Sequence, residues 1–218
     1  MERVKAMIAD GTLQPGQRLP AERDLAAQLG ISRGSVREAV RALTVLGVLE
    51  ARHGSGIYVT RLGAVDLLAT FGVMAGLSRG PRLLEMLQVR RVLESAAAAL
   101  AAARITPDEL AELEGHLAAM CATDDPDEVL AHDLAFHRTI TAAAGNETLA
   151  ALLEGLSSRT VRARVRRGRQ EEGAIGRTRR EHAAVLRALA ARDPEAARAA
   201  AAAHVGAVEE WLRGRLDG

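Results

Sequence analysis

The sequence predicts a mainly α-helical protein: an N-terminal winged helix-turn-helix with a small β-wing, then a C-terminal all-α bundle of about seven helices. Three observations lead there. Alanine and leucine dominate while aromatics make up only 2% of the 218 residues, a balance that favours helix packing over a β-sandwich. Strand signals are confined to one glycine-tipped hairpin around His53-Gly54-Ser55-Gly56. From Arg61 onward, helical patterns alternate with short Gly, Pro and Asp breaks.

The first helix begins close to Met1, with Val4, Met7 and Ile8 as its core positions. Pro20 suits the first position of the next helix, where its fixed φ and missing N–H cost nothing. Glu22 and Asp24 favour that helix's positive end. Leu25, Ala26 and Leu29 form its apolar face, and Gly30 ends it. Ser32 then caps a further helix. Val36, Ala39, Val40, Leu43 and Leu46 recur at helical spacing and are expected to face inward. Arg33, Arg37 and Arg41 fall four apart on the opposite side. Gly47 stops the helix, and Val48–Arg52 and Ile57–Thr60 read as two strands.

Helix, tight turn, helix and wing make a winged helix-turn-helix, whose second helix enters the major groove by its N-terminal residues. Arginine there can pair bidentately with guanine or with phosphate. A bare arginine stripe reads as readily as a solvated helix face; turn, wing and stripe together favour DNA contact.

Charge follows the same division. Residues 1–62 carry nine Lys/Arg against six Asp/Glu, a net of +3, and the remainder carries a net of −2. A basic head on a mildly acidic body confines DNA contact to the head. Cys121 is alone, which excludes a disulfide framework and a cysteine zinc finger, and it is expected to be a buried small apolar residue. No stretch is long and apolar enough to span a bilayer and no secretory signal opens the chain, so the expectation is a soluble, cytoplasmic protein.

Seven helical patterns follow the wing. They cover roughly 64–77, 82–104, a third opened by Thr106-Pro107, 126–143, one from Asn146 to about Arg167, 176–191, and one capped by Asp193-Pro194-Glu195. The expected domains are 1–62 and 63–218, joined by a short linker around Arg61–Gly63.

Pro15-Gly16, Arg18-Leu19-Pro20, Glu22-Arg23, Gly30, Ser32-Arg33, Val36-Arg37-Glu38-Ala39, Leu43, Gly47 and Gly54-Ser55-Gly56 resemble the DNA-binding domain of GntR-family transcriptional regulators. Carried over by position, the resemblance implies DNA contacts from Arg23, Ser32, Arg33, Ser35 and Arg37, with His53 and Gly54 at a wing tip that reaches the minor groove. One departure is the short first helix, within which Met1 already lies. The helical body resembles the FCD effector domain of the FadR-like branch. That resemblance rests on Leu87–Glu94 with Arg90, Asp133-Leu134-Ala135-Phe136-His137, Gly145-Asn146, Glu181-His182 and His204.

Asp133 and His137 are four apart and share a helix face, a usable spacing for two ligands of one metal. His182 and His204 lie on the last two helices. Each of these residues alone reads more readily as a hydrogen-bonded structural group than as a ligand. The FCD metal-binding pattern uses these four positions, and this chain keeps all four residue types. His116 and His132 do not match it and read as ordinary helix histidines. Imidazole plus carboxylate without thiolate suits a divalent ion: zinc first, or nickel, iron or manganese.

Open metal positions could take a small carboxylate, as the resemblance implies. Arg90 is its candidate second anchor, or else a salt-bridge partner of Glu94. Asn146 either orients that ligand or caps its helix. Arg159, Arg162 and Arg166 read as a solvated face. No general base or nucleophile motif stands beside the four ligands, so an enzyme is not expected. The expected function is a ligand-responsive transcriptional regulator that binds double-stranded operator DNA as a homodimer, with the metal itself as effector as the alternative.

Overall fold

The computed structural model describes residues 1–63 and 81–216, less the side chains of Arg159 and Arg162. The chain forms two compact units, Met1–Val73 and Met74–Gly218. The helix expected over 64–77 lies outside the described residues.

The first unit contains α1 (Glu2–Ala9), α2 (Glu22–Leu29), α3 (Arg33–Val45), β1 (Leu49–Arg52) and β2 (Gly56–Val59). β1 and β2 pair antiparallel, with Leu49 opposite Val59 and Arg52 opposite Gly56. The chain before α2 lies along the other edge of β2: Leu19 N donates to Ile57 O at 2.8 Å and Val59 N to Gln17 O at 2.9 Å. This tie explains one difference from the sequence expectation. Leu19 and Pro20 are held extended beside the strand, so α2 opens at Glu22 with Ala21 as its cap residue, not at Pro20. Val4, Met7, Leu25, Val36, Val40, Leu43, Leu49 and Val59 close one apolar core between the helices and the hairpin. Leu46 departs from expectation and is 44% exposed. It is the residue at which α3 ends, so it no longer lies on the helix's inward stripe.

The described part of the second unit is α4 (Pro81–Ala102), α5 (Pro107–Ala122), α6 (Pro126–Ala143), α7 (Glu147–Gln170), α8 (Ala174–Ala190) and α9 (Pro194–Leu216). Local chemistry sets most of their starts. Thr106 and Glu109 form a reciprocal capping box on α5, with Pro107 in its first turn. Asp125 Oδ1 accepts from Asp127 N at 2.9 Å at the head of α6. Asp193 Oδ1 accepts from Ala196 N at 3.0 Å at the head of α9.

Small residues decide the packing. Ala98, Ala101 and Ala102 of α4 share one core cluster with Ala197 and Ala201 of α9, where short side chains permit close helix approach. Phe136, Ile140, Leu113, Met120, Val185 and Leu189 fill the remainder of that cluster from α5, α6 and α8. Cys121 is exposed, contrary to the sequence expectation. The apolar stripe of α5 runs through Leu110, Leu113, Leu117 and Met120, and Cys121 lies one position beyond it, about 100° round the helix. Among the described residues, one face of α4 is exposed: Val89, Val92 and Leu100 fall at helical spacing and are 49%, 65% and 41% exposed.

Leu189 is fully buried. Leu189→Ala is therefore expected to cost about 2–5 kcal/mol of stability, read as a lower midpoint in urea unfolding followed by circular dichroism.

Candidate functional site

The first unit presents a polar face built by the turn between α2 and α3. Gly30 takes φ 62°, a left-handed conformation that glycine adopts without strain, and this redirects the chain into Ser32. Ser32 Oγ accepts from Ser35 N at 3.0 Å and lies 3.0 Å from Ser35 Oγ, so the two expected DNA-contacting serines hold the start of α3 and each other. Arg23, Arg33, Arg37 and Arg41 are all exposed.

Arg37 grips Glu22 of α2 through Nε at 3.1 Å and Nη2 at 2.8 Å, which lowers the Glu22 carboxyl and raises the guanidinium from their ordinary values. The pair lies in solvent, where such contacts are weak, so the guanidinium can be exchanged onto a phosphate or a base. His53 and Gly54 sit exposed at the tip of the β1–β2 hairpin. Tyr58 braces that hairpin: its hydroxyl lies 2.6 Å from Ser55 Oγ, and the Arg52 guanidinium stacks 4.2 Å from its ring centre. Gly56 suits that place, because its φ of 119° would strain any residue with a side chain.

In the second unit the bundle brings Asp133 and His137 of α6, His182 of α8 and His204 of α9 together. One ligand atom from each lies within 4.8 Å of all the others, and all four residues are buried. The spacing of four along α6 places the first two, and the packing of α8 and α9 against the remaining helices supplies the others. His182 Nε2 stands 3.1 Å from Asp133 Oδ1, His137 Nε2 3.6 Å and His204 Nε2 3.9 Å. His137 Nε2 and His204 Nε2 are 3.1 Å apart.

The outward ring nitrogens define the proton positions. His182 Nδ1 lies 2.8 Å from Thr178 O, a carbonyl that can only accept, so that nitrogen carries the proton. His204 Nδ1 donates to Glu181 Oε2 at 3.0 Å in the same way. His137 Nδ1 faces Glu94 Oε2 at 3.2 Å. The Nε2 lone pairs of His182 and His204 therefore point inward, towards Asp133 and His137. His182 Nε2 has no hydrogen-bond partner despite being buried.

The electrostatics reinforce this. Burial works against ionised Asp133, yet the adjoining Arg164 guanidinium and the imidazoles hold its carboxyl well below the ordinary range. Burial opposes the charge on Glu94 too, but Arg90 and then His137 bring it to about 2. Burial, and then His182 beside it, push His204 down to about 4, so its ring is neutral at neutral pH. Neutral imidazoles, an ionised carboxylate and second partners on the outer nitrogens are what a bound metal requires. Ligand atoms about 2 Å from one ion lie roughly 3–4 Å from each other, as these do. The four residues fit a divalent cation of the kind imidazole and carboxylate favour.

Beside the cluster lies a cavity of about 40 Å³, lined among others by Asp133, His204, Arg164 and Arg167. Neither Arg90 nor Asn146 lines it. Arg90 is fully buried; its Nε donates to Glu94 Oε1 at 2.6 Å and its Nη1 to Thr160 Oγ1 at 3.2 Å. Asn146 caps α7 by accepting from Leu149 N at 3.0 Å. His116 and His132 lie apart from the cluster, with rings 5.8 Å from each other. Arg166 is exposed and bonded to Gln170, whereas the expectation for Arg159 and Arg162 falls outside the described side chains.

Sequence reasoning did not reach Glu94, Thr178 or Glu181 as supports of the imidazoles, nor Arg164 and Arg167 in the cavity wall. Glu181 adjoins His182 and could have been suspected; the two arginines are hidden in an arginine-rich helix.

Residues 1–59 match the family of bacterial regulatory proteins, gntR family, and residues 85–207 match the FCD domain. The chain belongs to the GntR family and carries an FCD domain. It is a DNA-binding transcriptional regulator and not an enzyme. It is 31% identical to a protein of Escherichia coli (strain K12) named as a regulatory protein of the L-lactate dehydrogenase operon, over 99% of this chain and 85% of that one. It is also 31% identical to the HTH-type transcriptional regulator LutR of Bacillus subtilis (strain 168), over 97% of this chain and 98% of LutR. Its fold is similar to that of Streptococcus agalactiae GntR, with a TM-score of 0.67, 27% identity, and coverage of 96% of this chain and 97% of that one. Among the described residues, no helix is long and apolar enough to cross a membrane.

Arg33→Ala and Arg37→Ala are each expected to weaken binding to a duplex selected from a random-sequence pool, by roughly five- to hundredfold if they read guanine. Gel-shift titration on that duplex and on unselected DNA separates the two roles: an equal loss on both assigns the side chain to phosphate contact.

Proposed function

We propose that this regulator responds to a small carboxylate metabolite, received beside a divalent metal held by Asp133, His137, His182 and His204, and that the metabolite alters its affinity for operator DNA. The observation that carries this reading is the convergence of inward imidazole lone pairs on a buried carboxylate, with His182 Nε2 left unpartnered. Zinc is the first choice of ion. It would supply concentrated positive charge to which a carboxylate can bind. The chain's own contribution is orientation: Thr178 and Glu181 hold the His182 and His204 rings, Glu94 stands beside His137, and Arg164 holds Asp133. The similarity to a protein named for the L-lactate dehydrogenase operon supports a small hydroxy acid as the metabolite class.

The DNA-binding domain on this reading is 1–62, with Arg23, Ser32, Arg33, Ser35 and Arg37 facing the major groove and His53 and Gly54 the minor groove. The effector and dimerisation domain is 63–218. The exposed Val89, Val92 and Leu100 face of α4 supports a homodimer, each copy covering the other's apolar stripe and contributing one head to a pseudo-palindromic operator, in the cytoplasm where such a regulator meets DNA. A carboxylate that binds one arrangement of the body helices more tightly than another shifts operator affinity by that difference and no more.

Two measurements test the proposal. Elemental analysis of purified, untagged protein is expected to give about one metal per chain, reduced in His137→Ala, with the circular dichroism of that variant still helical. Gel-shift titration of a selected operator duplex is then run with L-lactate added, and separately with metal added to chelator-treated protein. A shift with L-lactate supports the carboxylate reading. Response to metal alone, with L-lactate, acetate and citrate all silent, makes the ion the effector. Full metal content in His137→Ala overturns the ligand assignment.

A further inference from the structure

Two histidines outside the buried cluster face each other across a helix pair. His116 lies on α5 and His132 on α6, and Asp124, in the short turn between those helices, is eight residues from each. So short a connection makes the helices antiparallel neighbours and sets the two histidines level with one another. Their ring centres are 5.8 Å apart and tilted by 42°. Two imidazoles on one ion, each with a nitrogen about 2 Å from it, hold their ring centres roughly 4.5–6 Å apart. The three rings of the buried cluster are separated by 4.4, 5.0 and 5.3 Å.

Each of these histidines follows a glutamate by four residues, Glu112 on α5 and Glu128 on α6. That spacing puts carboxylate and imidazole on one helix face, one turn apart. Glu112 Oε1 lies 3.7 Å from His116 Nε2. Glu128 is exposed on the same side of α6 as His132. Both histidines are partly exposed, so an ion can reach them from solvent. They also lack the outer-nitrogen anchors of the buried rings, since no hydrogen bond among the described residues engages either imidazole. Both rings are free to turn their lone pairs onto a common point.

We propose that His116 and His132, with Glu112 and Glu128, form a second, surface site for a divalent transition-metal ion. The proposal stands apart from the buried cluster and from the effector reading. Imidazole selects zinc, nickel or copper over magnesium and calcium, which prefer oxygen ligands throughout. The two carboxylates bring negative charge to the ion and fill two of its remaining positions. An ion held from both helices clamps α5 to α6, the helix that also carries Asp133 and His137. Because such an ion binds only the folded arrangement, it stabilises the unit as its concentration rises.

Equilibrium dialysis of the full-length protein against stepped concentrations of zinc, with bound metal measured by elemental analysis, tests the proposal. Wild type is expected to take up one equivalent per chain more than His116→Gln or His132→Gln. Each of these variants should bind that equivalent at least about tenfold more weakly. Glu112→Gln and Glu128→Gln should fall between wild type and the histidine variants. The melting midpoint followed by circular dichroism should rise with zinc in wild type and rise less in the histidine variants. All four side chains lie outside the apolar core, so the substituted proteins should fold. His137→Ala keeps all four residues of the surface site and should retain the additional equivalent, which separates this site from the buried one.

Equal zinc uptake by wild type, His116→Gln and His132→Gln overturns the site, whatever the buried cluster holds. Magnesium taken up there as tightly as zinc overturns the ion class. Loss in the histidine variants, with Glu112→Gln and Glu128→Gln both unchanged, overturns the part given to the carboxylates.

Discussion

The second unit depends on a concentration of like groups that water would ordinarily keep apart. Three imidazoles turn their Nε2 atoms towards one buried carboxylate, and His182 Nε2 among them has no hydrogen-bond partner. Such a cluster is unfavourable in an apolar interior unless something positive joins it. The surrounding bundle is arranged to hold it nonetheless. Every outer ring nitrogen faces a carbonyl or a carboxylate, and those groups come from two helices, α4 through Glu94 and α8 through Thr178 and Glu181, around rings from α6, α8 and α9. The supports orient the rings, and the rings in turn hold α6, α8 and α9 in register.

Charge is layered outward from that point. Arg164 neutralises Asp133 on one side, and Arg90 neutralises Glu94 behind His137. Burial, and then the nearby Arg90 guanidinium, bring Arg164 down to about 10. A guanidinium at that value is still charged at neutral pH, so the site carries fixed positive groups beside a small cavity.

The first unit works by a different economy. Its apolar core is small and its polar face lies in water, so no single contact there is strong. The Arg37–Glu22 pair, the Ser32–Ser35 cap and the Tyr58 brace hold the shape of the face without committing its arginines permanently.

Much of the fold is written locally. Capping by Ser32, Thr106, Asp125, Asn146 and Asp193, the left-handed Gly30 and the helical spacing of apolar residues set where most elements begin and end, because those signals act within one or two turns. The four candidate ligands were also legible as residue types, Asp133 and His137 by their spacing and His182 and His204 by resemblance to a pattern. Their convergence was not, since it depends on how α8 and α9 pack against α6. Nor were the roles of Arg90, Arg164 and Arg167: an arginine four residues before a glutamate, or one among many in a helix, has no address in the sequence. Cys121 and Leu46 failed for a related reason, because burial is decided by what covers a helix face and by where the helix stops. Sequence alone determined the elements and the chemistry available to this protein. Only the tertiary structure decided which groups meet in the interior, because desolvation and charge pairing between distant helices are properties of the packed chain.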